Sequence, residues 1–258
     1  MILRKIKSTI RANRLNKKIL GEVDRAFVLN PSRCVGGPLQ LPKPLGRNLP
    51  ERVIEILYAK MLYRPGTRVL DVGCANAMES HLQMIAGLGQ PRHIVGIDIS
   101  VPSSRTLKYY DGFIESSIVT SGIPAGSYDL IWCISALEHF GMDNSSYTKD
   151  FELSVSMDIQ AVQEMVRLLA VGGCLLITIP FGRFEDHGWL KNYDEEHLQK
   201  LLVPVENQTR IEKAFFRHTH GAGWGEVSCG ELQHVGYYDQ SNGGSGGLAV
   251  VTVTKQKP

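Results

Sequence analysis

Short apolar runs alternate with amphipathic stretches between residues 67 and 180, and the two patterns predict different elements. Five runs are typical of buried strands: TRVLDVG, HIVGIDIS, YDGFIESSI, YDLIWCIS and CLLITIP. A helix is predicted after the first strand, through about Ile85, and another over MDIQAVQEMVRLLA, just before the fifth strand. Strands that alternate with helices in this way form a mostly parallel sheet with right-handed crossovers.

The C-terminal part of the chain has a different pattern. RIEKAFFRH is compatible with a sixth strand, and GLAVVTVTKQ predicts a final one. The long glycine-rich stretch between them has no helix pattern strong enough for a crossover, and two strands joined without a crossover pair antiparallel. We therefore predict a doubly wound α/β fold with a mostly parallel, seven-stranded sheet and an antiparallel last strand.

Residues 1–49 lack a strong core pattern and are predicted to form an N-terminal arm, followed by one large domain over residues 50–258. The arm consists of a basic segment, with apolar residues at helical spacing, and a loop rich in proline and glycine. The basic segment is predicted to be a solvent-exposed helix or a frayed arm. Weak attachment to an anionic membrane surface is the alternative.

Composition narrows the classes of partner and compartment. The 258 residues carry a formal net charge of +2, so no nucleic-acid partner is expected. The five cysteines are scattered and form no CxxC pair, which argues against a disulfide framework or a zinc site and favours a reducing, cytoplasmic setting. No apolar run reaches the roughly 20 residues that span a bilayer.

The segment VLDVGCANA carries the strongest functional pattern. Asp71 lies near the end of a buried strand, and a tight turn of small residues around Gly73 opens into a helix. Small residues let a ligand approach the backbone, and N–H groups at a helix N-terminus face that ligand. A second acid, Asp98, ends the next strand, where a carboxylate can accept both hydroxyls of a ribose. The pattern predicts a nucleoside-containing cofactor at the carboxyl ends of the strands.

The turn discriminates between two classes of cofactor. Dinucleotide-binding proteins carry GxGxxG, whereas the three corresponding positions here are Gly73, Ala75 and Met78. A methionine is too large where a pyrophosphate and a closely packed helix must fit, and the charge of Asp71 would repel the pyrophosphate. That charge suits a cationic amino group or the neighbourhood of a sulfonium, which favours S-adenosylmethionine.

Four segments, in order, resemble the motifs of class I S-adenosylmethionine-dependent methyltransferases: LDVGCANA, GIDIS, SYDLIWCISALEHF and LLAVGGCLLITIP. The resemblance covers roughly residues 50–258 and implies a Rossmann-like fold, S-adenosylmethionine as the cofactor and methyl transfer as the reaction. Ala75 and Ala77 stand where family members have glycine in the first motif. The implied cofactor residues are Asp71, Gly73, Cys74, Ala75, Asp98, Ile99, Ser117, Ile118, Cys133 and Ser135.

Glu138 and His139 follow the fourth strand, in the catalytic cleft by analogy with the family. Because imidazole titrates near neutral pH, His139 is a candidate base for a substrate hydroxyl, and His187 after the fifth strand is a second. The alternative is that Glu138 and His139 orient their loop by hydrogen bonds.

The loop after the fifth strand is polar and aromatic, a composition that suits recognition of a sugar. Asp186, Trp189 and Tyr193 are the candidate substrate residues there, and Trp224 in the glycine-rich stretch is a candidate lid residue. Asp186 and His187 could ligate magnesium. Two adjacent ligands without a third are weak support, so no metal site is predicted.

Together these features lead to a prediction of function. We expect a small-molecule or glycan substrate and predict O-methylation of a sugar or another small metabolite by direct displacement. Two alternatives stay open. One is a non-catalytic S-adenosylmethionine-binding partner protein, suggested by the altered glycines, and the other is an NAD-linked oxidoreductase, against which Asp71 and Met78 argue.

Overall fold

The computed structural model describes residues 2–30, 41–43, 45–146, 148, 153–239 and 244–257, with the side chains of residues 2–10 left out. Its helices are α1 (Ile2–Val28), α2 (Arg52–Leu62), α3 (Glu79–Ala86), α4 (Ser104–Leu107), α5 (Met157–Leu168) and α6 (Glu195–Leu202). Its strands are β1 (Arg68–Val72), β2 (His93–Asp98), β3 (Gly112–Glu115), β4 (Tyr128–Ile134), β5 (Leu169–Pro180), β6 (Glu185–Asp186), β7 (Lys191–Asn192), β8 (Thr209–Thr219), β9 (Gly223–Val227) and β10 (Gly247–Lys255).

The main sheet confirms the predicted doubly wound architecture. Its strand order is β3-β2-β1-β4-β5-β10-β8-β9, and the first five strands are mutually parallel. β10 runs antiparallel to both of its neighbours, β5 and β8. The pairing with β8 is the one expected for strands joined without a crossover. The chain passes from β1 to β2 on one side of β1, whereas β4 lies on the other side of β1. The topological switch point therefore falls between β1 and β4.

The predicted strand count of seven is one too low. The additional strand, β9, pairs antiparallel with β8 at the edge of the sheet. It lies inside the glycine-rich stretch and reads GWGEV, which has neither the length nor the regular alternation that marks a strand in a sequence. The two-residue strands β6 and β7 form a separate small ribbon.

Alternate residues of the central strands pack against different helix layers. Val69 in β1 and Trp132 in β4 face the layer that contains α1, α2 and α3. Their neighbours Leu70 and Cys133 face the opposite layer, with α5 and α6. Both faces of the sheet are therefore buried, which explains why the central strands are almost continuously apolar.

The predicted basic helix of the arm is present as α1, which extends over 27 residues. Its C-terminal half packs on the domain, since Ile19, Val23 and Ala26 are fully buried in the layer that contains α2 and α3. In the proline- and glycine-rich loop, residues 31–40 and 44 lie outside the described residues. Within the described part of the chain, no helix combines the length and apolar character that crossing a membrane requires.

Substitution Ile19→Ala should lower the free energy of unfolding by about 2–4 kcal/mol, because it removes a fully buried side chain between α1 and its neighbours. Denaturant unfolding of the full chain measures the change. The matched control is Lys18→Ala, an exposed neighbour on the same helix, which should stay within about 0.5 kcal/mol of the parent. Equal stability of the two variants would show that α1 does not pack on the domain in solution.

Candidate active site

A cavity of about 360 Å³ opens at the carboxyl ends of β1, β2 and β4, beside the switch point. This volume suits a ligand the size of a nucleoside derivative. Among the predicted cofactor residues, those that line the cavity are Asp71, Gly73, Cys74, Asp98, Ile99, Ser117, Ile118 and Ser135. Ala75 and Cys133 are not in its lining, and Cys133 is fully buried in the layer beside α5.

The turn after β1 requires glycine at its first position. Gly73 has a φ of +76°, and a Cβ added there would lie 2.5 Å from the Cβ of Ala136, in the loop after β4. Its N–H donates to the Ile97 carbonyl oxygen at 2.9 Å. The ends of β1 and β4 therefore approach as closely as backbones allow.

Asp98 is half-buried at the end of β2 and holds the turn in place. Its Oδ2 accepts the N–H of Ala75 at 2.8 Å, and its Oδ1 accepts the N–H of Ser100 at 2.9 Å. Burial raises the pKa of Asp98, while these backbone N–H groups act in the opposite direction. The carboxylate is thus fixed in the wall of the cavity.

Asp71 is buried and is engaged by the protein itself. Its Oδ2 accepts the Tyr110 hydroxyl at 2.7 Å and lies 2.7 Å from Nε2 of His81. The His81 ring also lines the cavity and packs edge-on against Trp132 at 5.8 Å. Sequence reasoning assigned Asp71 to a cationic group of the cofactor and missed both partners, because they lie 10 and 39 residues away.

A buried carboxylate from α2 reaches the end of β4. Glu55 is fully buried, and its Oε1 accepts the hydroxyls of Ser135 at 2.6 Å and Thr178 at 2.8 Å. Its Oε2 accepts Nη1 of Arg52 at 2.6 Å, and Arg52 lines the cavity. Ser135 has a φ of +42°, so this network holds a non-glycine residue in the left-handed region. No sequence motif marked Glu55 or Arg52.

His139 lines the same cavity, and its hydrogen bond identifies its tautomer. Nδ1 lies 2.8 Å from the carbonyl oxygen of Trp189, and because a carbonyl only accepts, Nδ1 carries the proton. Burial lowers the pKa of His139, which favours the neutral ring with Nε2 as its basic nitrogen. The Trp189 ring lies 5.4 Å from the imidazole, and Tyr237 contacts that tryptophan edge-on at 6.3 Å.

Glu138 is only 4% exposed and does not line the cavity. Burial raises its pKa to about 8, and the charges of Glu55 and Glu51 add to that effect. Its Oε2 has no hydrogen-bond partner among the residues that the structure describes.

None of the predicted substrate residues Asp186, Trp189, Tyr193 and Trp224 lines the cavity, and neither does the second candidate base, His187. His187 contacts Glu185 Oε2 at 3.3 Å and the ring of Tyr238 at 5.1 Å, outside the cavity lining. Asp186 accepts the Gly188 N–H within its own turn.

Two further predicted substrate residues are held inside the protein. Tyr193 is buried, and its hydroxyl donates to Asp158 at 2.8 Å. Trp224 is buried, and its Nε1 donates to the Leu49 carbonyl oxygen at 3.0 Å.

The residues present fit S-adenosylmethionine. Binding requires room for a nucleoside, an acid for the ribose and a backbone that the ligand can approach closely. The cavity volume, the fixed Asp98 carboxylate and the Gly73 turn supply these three features.

Comparisons with known proteins agree with this fit. Residues 70–177 match the family described as "Methyltransferase domain". The chain is similar in structure to the 4+2 cyclase SpnF, with 16% identity, a TM-score of 0.52, and 81% of this chain and 82% of that chain covered. It is also similar to a SAM-dependent methyltransferase from Archaeoglobus fulgidus, with 15% identity, a TM-score of 0.50, and 77% and 91% covered. A comparison with curated proteins finds none that matches.

The structural similarities at these identities bear on the fold, whereas the matched domain bears on the family. Because that domain covers the strands that build the cavity, residues 70–177 form a methyltransferase domain, and its cofactor is S-adenosylmethionine.

Proposed function

We propose that the enzyme transfers a methyl group to a hydroxyl of a sugar or another small metabolite. The observation that carries this proposal is the neutral His139 ring in the wall of the same cavity as Asp98. When bound, the cofactor supplies a methyl group activated by its sulfonium. The chain then has to hold the two reactants in line, exclude water and accept one proton.

In this proposal, Asp98 binds the ribose hydroxyls, and the Gly73 turn lets the cofactor lie against the backbone. Asp71 contributes its negative charge near the sulfonium while Tyr110 and His81 fix its position. Ser117 and Ile118 lie on the lining at the end that follows β3, where the adenine is expected.

His139 acts as the base for the acceptor hydroxyl. Its Nδ1–H stays on the Trp189 carbonyl oxygen, which orients the ring, and Nε2 takes the proton that the hydroxyl loses. The rings of Trp189 and Tyr237 offer an apolar surface against which one face of a sugar can pack. His187 and Asp186 stay candidates for contacts at the outer rim of this loop, while Tyr193 and Trp224 have no part in the proposal.

S-adenosylhomocysteine should bind the purified chain with a Kd in the micromolar range, and NADH should not bind measurably. The Gly73 turn and the acid before it suit a sulfonium nucleoside and disfavour a pyrophosphate. Isothermal titration calorimetry with both ligands measures the difference. Binding of NADH alone would reinstate the oxidoreductase, and cofactor binding without transfer to any acceptor would favour the non-catalytic partner protein.

Substitution Asp98→Ala should weaken S-adenosylhomocysteine binding by about 1–3 kcal/mol, because charge-assisted hydrogen bonds to the ribose are lost. Calorimetry against the parent protein measures this change. The matched control is Asp129→Ala, whose side chain pairs with Arg68 in the exposed region where β1 and β4 begin, and it should leave the affinity unchanged. An unchanged affinity for Asp98→Ala would remove this residue from the cofactor site.

Substitution His139→Gln should lower kcat by about 100-fold or more with little change in KM, as expected for loss of a general base. Because burial lowers the pKa of His139, the rate of the parent enzyme should fall only below the ordinary histidine pKa of 6.5. Methyl transfer from radiolabelled S-adenosylmethionine, followed against pH, measures both effects. The exposed control His93→Gln should keep the parent profile, and an acidic limb that persists unchanged in His139→Gln would assign the base to another group.

A further inference from the structure

One face of α2 forms part of the cavity wall. Arg52 and Ile56 lie one helical turn apart, and both line the cavity. The side chain of Arg52 is 22% exposed, whereas that of Glu55, three residues later, is fully buried. Among the described residues that line the cavity, Arg52 is the one lysine or arginine, so it supplies the one permanent positive charge there.

A buried carboxylate holds the guanidinium of Arg52. Nη1 donates to Oε2 of Glu55 at 2.6 Å, while Oε1 of Glu55 accepts the hydroxyls of Ser135, after β4, and Thr178, in β5. A guanidinium has five N–H donors in one rigid plane, and the bond to Glu55 engages one nitrogen. Its other N–H groups make no hydrogen bond to the residues that the structure describes, so they are available to a ligand in the cavity.

The charges around Arg52 have both signs, and this favours a zwitterionic group over a simple anion. Glu55 is paired with the guanidinium, and Asp71 lines the same cavity. A phosphate group would be repelled by these carboxylates while the arginine attracts it. An α-amino acid carries a carboxylate and an ammonium on one carbon, so that each sign of charge in the cavity wall meets its opposite.

The order of the strand ends determines which part of the cofactor reaches Arg52. Ser117 follows β3, Asp98 ends β2, Gly73 follows β1 and Ser135 follows β4, and these four strands are consecutive neighbours in the sheet. With the adenine near Ser117 and the ribose at Asp98, the rest of the cofactor extends past the Gly73 turn toward β4. A single carboxylate joins Arg52 to that strand end, so the guanidinium lies on the side of the amino-acid tail.

We propose that Arg52, already held by Glu55, binds the carboxylate of the cofactor's amino-acid tail. The planar fork of a guanidinium matches the two oxygens of a carboxylate, which makes this pairing both strong and specific. Because the bond to Glu55 orders the arginine before the cofactor arrives, less side-chain freedom is lost on binding. Arg52 lies before residues 70–177, so the contact is contributed from outside the matched methyltransferase domain.

This inference rests on the proposed function, through the ribose contact of Asp98, and its test compares two ligands of the full chain. S-adenosylhomocysteine is the first. Its decarboxylated form is the second, and it keeps the adenosine, the sulfur and the amine. Calorimetry should show that the parent protein binds S-adenosylhomocysteine about 10- to 100-fold more tightly, as expected for charge-assisted hydrogen bonds. Equal affinities of the parent protein for the two ligands would overturn the inference.

Substitution Arg52→Gln should remove this preference. The affinity for S-adenosylhomocysteine should fall by about 10- to 100-fold, whereas the affinity for the decarboxylated ligand should stay within about 3-fold of the parent value. The matched control is Arg167→Gln, because Arg167 pairs with Glu164 at the same helical spacing on α5 and does not line the cavity. It should leave both affinities unchanged.

Two results for Arg52→Gln would contradict the inference. An equal loss of affinity for both ligands would show that the arginine only supports the structure of the cavity wall. No loss for either ligand would assign its guanidinium to another group, such as an anionic acceptor.

A double variant guards against a folding defect. Arg52→Gln alone leaves the buried Glu55 carboxylate without its guanidinium, which costs stability. Arg52→Gln combined with Glu55→Gln removes both charges and keeps the sizes of both side chains. Thermal unfolding checks that each variant is folded at the temperature of the titration. The double variant should also bind the two ligands with similar affinity, and a retained preference for S-adenosylhomocysteine would exclude Arg52 as the carboxylate-binding residue.

Failure of this inference can be told apart from failure of the proposed function. A parent protein that binds S-adenosylhomocysteine, but no more tightly than the decarboxylated ligand, keeps the methyltransferase proposal and loses only the carboxylate contact. A parent protein that binds neither ligand fails at the cofactor itself, and both proposals then fall together.

Discussion

The close approach of the β1 and β4 ends is the constraint on which the rest of the site depends. A Cβ on Gly73 would lie 2.5 Å from Ala136, so the two strands end side by side with no spare room and their chains must turn apart. Since both faces of the sheet are covered by helices, the carboxyl edge at this switch point is where a ligand can reach the backbone. The cavity with the candidate cofactor groups opens beside this gap.

Buried charge at this edge is stabilised in three different ways. Asp98 is satisfied by backbone N–H groups, Asp71 by a phenol and an imidazole, and Glu55 by two hydroxyls and a guanidinium. A carboxylate taken out of water is tolerable only with such partners. Among the residues that the structure describes, Oε2 of Glu138 lacks a hydrogen-bond partner, and burial raises the pKa of this carboxyl group instead.

Local signals in the sequence were sufficient for the sheet and for much of the cofactor wall. Apolar runs and small-residue turns are determined within a few neighbouring residues, so β1 to β5, the Gly73 turn and Asp98 could be predicted. β9 was not predicted, because glycine and a charged residue interrupt its pattern of apolar residues. The burial of Glu55 was not predicted, because a charged residue on an amphipathic helix ordinarily faces water. Only the packing of α2 on the strand ends reveals it.

Aromatic residues were the least predictable part of the site. Tyr193 and Trp224 have the composition of ligand-binding residues, yet each donates its polar hydrogen to a group inside the protein. Sequence alone does not separate such a residue from Trp189, because which end of a large ring meets solvent depends on contacts far along the chain.

The two halves of the site come from different parts of the chain, and this division bears on specificity. The cofactor wall lies mainly within residues 70–177, which match the methyltransferase domain. Trp189 and Tyr237 lie outside that range, in the turn between β6 and β7 and in the loop after β9. A fold that also occurs in the cyclase SpnF does not by itself determine the reaction or the acceptor. Acceptor identity is therefore to be sought in these outer elements rather than in the matched domain alone.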